Sequence, residues 1–168
     1  MAHFIIPAAP VSEESTVIYA PVSAVWDRVR NLTQMEWWNL VSSSTALGES
    51  GDPSTVGSSF EISFNDGHKW TVRLVELSDI NHSLMFEVTS SEPAAACTSM
   101  IHTISLKSVT QTNGTFMCWR TDFSNDTTQE ILQDSKFKKL EAFVALGSSF
   151  ESHHSLADAL KGIEFSLH

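Results

Sequence analysis

Glu76 and His102 are the two residues of this sequence whose type and spacing suit proton transfer inside an apolar interior. Glu76 shares the alternation of Trp70, Val72 and Leu74, so on a strand all four side chains face one side. If that side is the interior, burial raises the pKa of the carboxyl group and makes it a usable acid or base. If the strand ends at Glu76, its side chain reaches solvent instead.

His102 shares the alternation of Met100, Ile104 and Leu106 on a later run. A histidine on an apolar face can act as a general base or orient a polar group of a ligand. It can equally be a core histidine that bonds to a backbone carbonyl group or to a water molecule. Paired titratable groups in one cavity mark active sites, so Glu76 and His102 are the predicted catalytic residues if both face the same cavity.

The elements that would position these residues follow from the spacing of apolar side chains. Ser15–Tyr19 is rich in β-branched and aromatic residues and predicts a strand. Pro21 then opens a helix of about three turns, and Gln34–Trp38 is a second short helical piece. Leu40–Leu47 is a further candidate strand.

From residue 58 to residue 123 the apolar period is two, which predicts five strands joined by short turns in an antiparallel meander. A long helix follows, with Thr127 and Glu130 as its capping box and Gly147 as its C-cap. This helix is expected to turn five apolar side chains toward the sheet, namely Leu132, Phe137, Leu140, Phe143 and Val144.

This order of elements predicts an α+β fold, in which a curved antiparallel sheet of about 6–7 strands wraps around a long C-terminal helix, with two short helices after the first strand. Residues 1–13 are expected to form an N-terminal arm, residues 14–150 one domain, and residues 151–168 a C-terminal tail with room for a short helix. A chain of 168 residues, of which 42% are hydrophobic, is long enough to bury one core.

The formal net charge of −10 disfavours binding to nucleic acid and to anionic membranes. The small basic cluster of Lys136, Lys138 and Lys139 is interpreted as a solvated helix face. Cys97 and Cys118 lack metal-ligand spacing, so neither a metal nor another cofactor is expected. No stretch approaches about 18 apolar residues and the N-terminus lacks a basic region, so we expect a cytoplasmic protein without stable membrane insertion.

Four segments carry a family resemblance: Ala20–Leu32, Val56-Gly57, Arg73–Asp79, and Phe116–Trp119 leading into the C-terminal helix. On these segments, roughly over residues 14–147, the chain resembles the START/Bet v 1-like (helix-grip) superfamily, in its polyketide cyclase/dehydratase-like branch. The resemblance implies an apolar ligand cavity between the sheet and the long helix. The lachrymatory-factor synthase branch of this superfamily uses a cavity glutamate on what looks like the strand of Glu76.

Large apolar side chains would line the implied cavity, with the adjacent Trp37 and Trp38 at its lip. The predicted ligand-binding residues are Trp37, Trp38, Phe60, Phe64, Trp70, Val72, Leu74, Phe86, Met100, Trp119, Phe137 and Leu140. The first hypothesis is a protein that binds a small hydrophobic molecule, such as a lipid or a polyketide. Alternatives are a cofactor-independent cyclase, dehydratase or isomerase that uses Glu76 and His102, and an Aha1-like protein-interaction module with a filled core and an exposed apolar patch. A homodimer is left open.

Overall fold

A computed structural model describes residues 9–49 and 52–164 of the chain, with side chains described up to residue 151. Strands and helices follow one another in the order β1 (Val11–Ile18), α1 (Val22–Val29), β2 (Val41–Leu47), β3 (Ser59–Phe64), β4 (Lys69–Ser78), β5 (Ser83–Glu92), β6 (Met100–Val109), β7 (Gly114–Phe123) and α2 (Gln129–Glu164).

The seven strands form one antiparallel, curved sheet in the order β1-β7-β6-β5-β4-β3-β2. Strands β2 to β7 pair with their sequence neighbours, as short turns require, whereas β1 returns to pair with β7 and forms an edge. The long helix α2 packs against this sheet and contacts β1 most closely. The predicted fold class, an α+β fold with a curved antiparallel sheet and a long C-terminal helix, is confirmed.

The N-terminal elements differ from the prediction at their boundaries. β1 begins at Val11, so three residues assigned to the arm pair with β7. α1 ends at Val29, and the predicted second helix over 34–38 consists of turns. The side chain of Asn31 accepts a hydrogen bond from the backbone N–H of Thr33 (2.9 Å), and this local bond competes with continuation of the helix.

The helix α2 differs from the prediction at both ends. The cap is Thr128, whose Oγ1 accepts a hydrogen bond from the N–H of Ile131 (3.3 Å). Oγ1 of the predicted cap, Thr127, is buried and has no partner within residues 9–49 and 52–151. The backbone continues as a helix through Gly147 to Glu164, so the predicted C-cap is wrong and the short helix expected in the tail is part of α2. Side chains after residue 151 lie outside the described residues.

The face of α2 that meets the sheet is also different from the predicted one. The buried face contains Lys139, Ala142, Phe143 and Leu146. Three of the side chains predicted to face inward are exposed instead, namely Phe137 (60%), Leu140 (37%) and Val144 (70%). Apolar residues occur on both sides of α2, so apolar spacing alone does not select the side that is buried. The predicted ligand-binding roles of Phe137 and Leu140 therefore lose their structural basis.

The core between α1 and the sheet is closed by a polar clamp. Trp26 of α1 packs in the core, and its Nε1 donates a hydrogen bond to Oδ1 of Asp79 in the turn after β4 (2.8 Å). Nε of Arg30 donates to the same oxygen (2.8 Å). Because both donors bind the charged carboxylate, they lower the pKa of Asp79. The clamp thus ties α1 to the turn between β4 and β5.

Candidate functional site

Glu76 does not face the interior. Its side chain is exposed, and its Oε1 accepts a hydrogen bond from Oγ of Ser83 (3.3 Å) on the neighbouring strand. A β-bulge causes this orientation, because Leu74 pairs with Phe86 while Glu76 pairs with Met85. The extra residue, Val75, reverses the alternation for the rest of β4. The prediction that Glu76 shares the face of Leu74 is therefore wrong, and Glu76 and His102 do not meet in one cavity.

His102 lies on the inner face of β6, as its alternation predicted. It pairs across the sheet with Phe86 on β5 and with Thr121 on β7. The imidazole ring stacks on the ring of Phe86, with centroids 4.9 Å apart and an interplanar angle of 11°. The ring of Trp70 on β4 also lies beside the imidazole ring, with the two centroids 5.4 Å apart. The imidazole is therefore held in position by aromatic side chains of β4 and β5.

The hydrogen bonds of His102 define its tautomer. Nε1 of Trp119 donates to Nδ1 of His102 (3.1 Å), and Oγ1 of Thr121 lies 3.0 Å from the same nitrogen. An indole nitrogen can only donate, so Nδ1 is the acceptor and Nε2 carries the proton. Burial, with Lys139 nearby, lowers the pKa of His102 well below its ordinary 6.5 and keeps the ring neutral. Nε2 is buried and has no hydrogen-bond partner among the described residues.

Lys139 of α2 is the second polar group of this region, and it is only 2% exposed. Its Nζ donates hydrogen bonds to Oγ of Ser135 (2.6 Å) and to Oγ of Ser12 (3.3 Å), and it lies 5.5 Å from the centre of the Trp119 ring. Burial lowers the pKa of Lys139 from its ordinary 10.5 to about 8, and Glu14 acts in the opposite direction. The interpretation of Lys139 as part of a solvated face is wrong.

These two groups line a small space between the sheet and α2, which we call the inner cavity. Its volume is about 70 Å³. Its lining comes from β4, β6, β7 and α2 and includes Trp70, Met100, His102, Trp119, Ser135 and Lys139. Aromatic and apolar walls with a few convergent polar groups are typical of ligand sites.

A second space, which we call the outer cleft, lies beside the inner cavity and opens at the β3–β4 turn. Its volume is about 160 Å³, and Phe64, His68, Trp70 and Lys138 are among its lining residues. Trp38 lines both spaces and contacts Phe64, Trp70 and Trp119 edge to face, with centroid distances of 5.2, 5.9 and 4.9 Å. Nε1 of Trp38 is buried and has no hydrogen-bond partner in the part of the chain that the structure describes. Trp38 is thus a shared wall between the cleft and the cavity.

The remaining predicted ligand-binding residues fall into two groups. Trp38, Phe64, Trp70, Met100 and Trp119 line the cleft, the cavity or both. The other five fill the core and line neither space, namely Trp37, Phe60, Val72, Leu74 and Phe86.

The sequence did not indicate that Lys139 is buried. It also did not indicate that Ser12 and Ser135 contact Lys139, or that Thr121 contacts His102. A cluster of three lysines on a helix predicts a solvent-exposed surface, since lysines are rarely buried. The small Ser135 one turn before Lys139 was the available local signal. Ser12 lies 127 residues away in the chain, so its contact follows only from the pairing of β1 with β7.

Among the residues whose side chains are described, no three His, Cys, Asp or Glu converge in a way that could hold a metal ion. None of the described helices is both long and apolar enough to cross a membrane.

Comparison with solved structures gives the same fold. The chain is similar to a protein from Nitrosospira multiformis, with 24% identity, a TM-score of 0.74, and coverage of 86% of this chain and 99% of that one. It is similar to XoxI from Bacillus cereus, with 18% identity, a TM-score of 0.74, and coverage of 86% and 97%. A protein from Thermobifida fusca has 20% identity, a TM-score of 0.64, and coverage of 82% and 90%. Identities this low support the fold alone.

No curated protein matches the chain. The profile of one family, described as polyketide cyclase / dehydrase and lipid transport, matches residues 10–141, which is most of the chain. This match confirms the START/Bet v 1-like (helix-grip) resemblance stated for the sequence. The chain belongs to the polyketide cyclase / dehydrase and lipid transport family.

Proposed function

We propose that the protein binds a small, largely apolar molecule that carries a hydrogen-bond acceptor, such as a carbonyl oxygen, between the sheet and α2. The observation that carries this proposal is the buried Nε2–H of His102, which has no partner among the described residues, in a side chain that lines a cavity with aromatic walls. The family description, which includes polyketide cyclisation and lipid transport, supports an apolar ligand.

The acceptor is inferred from the polar groups of the site. A buried donor without a partner costs about 1–3 kcal/mol, so such donors are rare in folded proteins. Two of them, His102 Nε2 and Trp38 Nε1, belong to residues that line the inner cavity. Lys139 adds further N–H groups from the helix side. A ligand that supplies an acceptor oxygen would satisfy these donors, whereas a pure hydrocarbon would leave them unpaired.

The size of the two spaces restricts the ligand. Cavities of about 70 Å³ and 160 Å³ are smaller than the roughly 300–1,000 Å³ of sites for drug-sized molecules. The outer cleft therefore suits a single ring, and the inner cavity suits a short chain or the polar end of a molecule. Rotation of Trp38 would join the outer cleft to the inner cavity and admit a longer molecule.

A matched pair of probes tests this proposal. Acetophenone and ethylbenzene have similar size, and only acetophenone has a carbonyl oxygen. Binding is followed by the NMR signals of the indole N–H groups in labelled protein. We expect acetophenone to bind about 3- to 10-fold more tightly, as one additional neutral hydrogen bond would give.

Two variants make the test specific. His102→Phe should remove the preference for acetophenone, because it removes the Nε2–H donor. Glu76→Gln, on the outer face, should leave the preference unchanged. Equal affinities for the two probes in the unaltered protein, or no binding of either at millimolar concentration, would contradict the proposal.

A second candidate function is a cofactor-independent cyclase, dehydratase or isomerase. The observation that favours it is the presence of Lys139 and His102 in one cavity. Glu76, which the sequence suggested as the partner of His102, takes no part in this version. The test is native mass spectrometry of protein from its own cells, followed by a search for turnover of any molecule that co-purifies. A molecule that is bound and never converted would favour the carrier function.

The protein-interaction alternative depends on a different surface. Apolar side chains of β1 and α2 are exposed, among them Val17 (45%) of β1 and Val144 (70%) of α2. β1 is also an edge strand that a second copy of the chain could extend. This alternative would be favoured by three results together. Native mass spectrometry would show the protein without a bound molecule, neither probe would bind, and the protein would form a dimer that Val144→Asp converts to a monomer. A monomer that binds acetophenone would exclude it.

A further inference from the structure

We propose that Lys139 is a nucleophilic amine that forms a reversible imine with an aldehyde or a ketone bound in the inner cavity. This inference rests on the proposed binding of a carbonyl compound and adds a covalent step to it. The observations that carry it are the enclosure of Lys139 Nζ, its hydrogen-bond partners and the neighbouring donor of His102.

Lys139 is enclosed in a manner that ion-paired lysines are not. Among the described residues, no ion pair joins it to a carboxylate, whereas the adjacent Lys138 pairs with Asp134 (2.6 Å). Its Nζ lies instead among two serine hydroxyl groups and the ring of Trp119. A lysine desolvated by an apolar pocket is one of the arrangements that make the amine a nucleophile.

The number of partners fits the neutral amine better than the ammonium ion. An ammonium group has three N–H donors, of which Ser12 and Ser135 can accept two. A neutral amine has two N–H groups and one lone pair, so the same serines satisfy both N–H groups and leave the lone pair available. The lone pair is the nucleophile in attack on a carbonyl carbon.

The charged groups around Lys139 act in both directions. Glu14 on β1 favours the ammonium form, whereas burial disfavours it and lowers the pKa of Lys139 to about 8. His102 on β6 is neutral, and on α2 the charges of Asp134 and Lys138 form a pair with each other. A substantial fraction of Lys139 is thus unprotonated near pH 8.

The proposed step is balanced without an oxidant or a reductant. Nζ of Lys139 bonds to the carbonyl carbon, the carbonyl oxygen gains a proton, and the amine loses one. The C–O bond of this adduct then breaks, and the hydroxyl group leaves as water with the remaining proton of Nζ, which gives the C=N bond of the imine. His102 lines the same cavity, and its Nε2–H, which has no partner among the described residues, would donate to the carbonyl oxygen and polarise it during the attack.

Reductive trapping with propanal and sodium cyanoborohydride tests the step, because cyanoborohydride delivers hydride to the imine and makes the bond permanent. The chain has six lysines, so peptide mass mapping compares Lys139 with five internal references. At pH 7 an amine with a pKa of about 8 is about 300-fold more unprotonated than one at 10.5. We expect Lys139 to be labelled first, with a rate that rises with pH to a midpoint near 8.

Variants and a binding control separate this inference from the proposed binding function. Lys139→Arg keeps a positive charge and cannot form an imine, so the early label should disappear. Lys139→Met repeats the test if the arginine disturbs folding, which circular dichroism reports. Lys136→Arg, an exposed position on the same helix, should leave the early label in place. Labelling of the other lysines without Lys139, in protein that binds acetophenone, would overturn the imine and leave the binding function intact. Loss of acetophenone binding in the unaltered protein would overturn both.

Discussion

Replacing Lys139 by methionine is expected to make the protein more stable at pH 7, although the change removes two hydrogen bonds. The ammonium group is enclosed beside Trp119 and has no carboxylate partner among the described residues. Burial disfavours the charged form and lowers the pKa of Lys139 from its ordinary 10.5 to about 8. At pH 7 the folded chain therefore holds a disfavoured charge, and methionine fills a similar space without one.

The size of the gain follows from the two pKa values. A pKa that is lower in the folded chain by about 2.5 pH units corresponds to about 3 kcal/mol, at about 1.4 kcal/mol for each pH unit. The lost hydrogen bonds to Ser12 and Ser135 offset about 1 kcal/mol each. The free energy of unfolding of Lys139→Met should thus exceed that of the unaltered protein by about 1 kcal/mol at pH 7.

The dependence on pH gives the sharper test. Between pH 8 and pH 10.5 the unfolded chain keeps a proton on Lys139 that the folded chain has released, so the stability of the unaltered protein rises with pH in this range. Methionine has no such proton. The difference in unfolding free energy between variant and unaltered protein should therefore fall by about 3 kcal/mol from pH 7 to pH 10.5 and change sign.

Urea unfolding followed by tryptophan fluorescence at several pH values measures this difference, in which the titration of all other groups cancels. Lys136→Met, at an exposed position of the same helix, serves as the control and should show a difference that does not vary with pH. A flat difference curve for Lys139→Met would show that the ammonium group is hydrated in solution, and would refute both the burial argument and the preference for the neutral amine.

Three further perturbations have defined outcomes. Trp38→Ala removes the wall between the outer cleft and the inner cavity, so the free energy of unfolding in urea should fall by about 3–5 kcal/mol. A naphthyl ketone, which is too large for either space, should then bind in an NMR titration. Unchanged stability would mean that Trp38 is not packed as described. His102 is neutral because burial lowers its pKa, so the stability of the unaltered protein should fall as the pH drops below 6.5. His102→Phe should lack that decline, and the difference in unfolding free energy between the two proteins should change by at most about 1.4 kcal/mol per pH unit. Parallel curves of stability against pH would contradict the assignment. Hydrogen bonds from Ser124 and Thr98 lower the pKa of Asp126 to about 2, so its contribution to stability is present above pH 3.8 and is lost as the pH falls toward 2. Asp126→Asn lacks this contribution and should be less stable at neutral pH, and acid unfolding of the two proteins, monitored by circular dichroism, should differ. Identical acid transitions would count against the role of Asp126.

The sheet and much of the site could be predicted from local alternation. Trp70, Met100, His102 and Trp119 line the inner cavity because each lies on the inward-facing alternation of its strand. This alternation depends only on the pleat of a regular strand, which the sequence expresses directly. The inward-facing side of a strand could thus be predicted wherever the strand is regular, whereas alternation did not distinguish side chains that line the cavity from those that fill the core.

The predictions that failed concern features that depend on contacts between residues far apart in the chain. The bulge at Val75 carries no glycine or proline signal, so the sequence did not indicate that Glu76 faces outward. The buried face of α2 depends on its packing against β1, which brings Ser12 to Lys139. Since β1 and α2 are at opposite ends of the chain, no local pattern reports that contact.

The bulge in β4 also links the pairing register of the sheet to the chemistry of its interior. If β4 paired continuously with β5 through Val75, each later residue of the strand would move by one pairing position and exchange faces. Glu76 would then face the α2 side, and Leu77 would face solvent. Loss of the bulge, with no change at position 76 itself, would thus place a carboxyl group on the face of the sheet that holds His102. In an evolving or designed lineage of this fold, changes in strand pairing are therefore a route to new catalytic groups that comparison of residue identities alone would overlook.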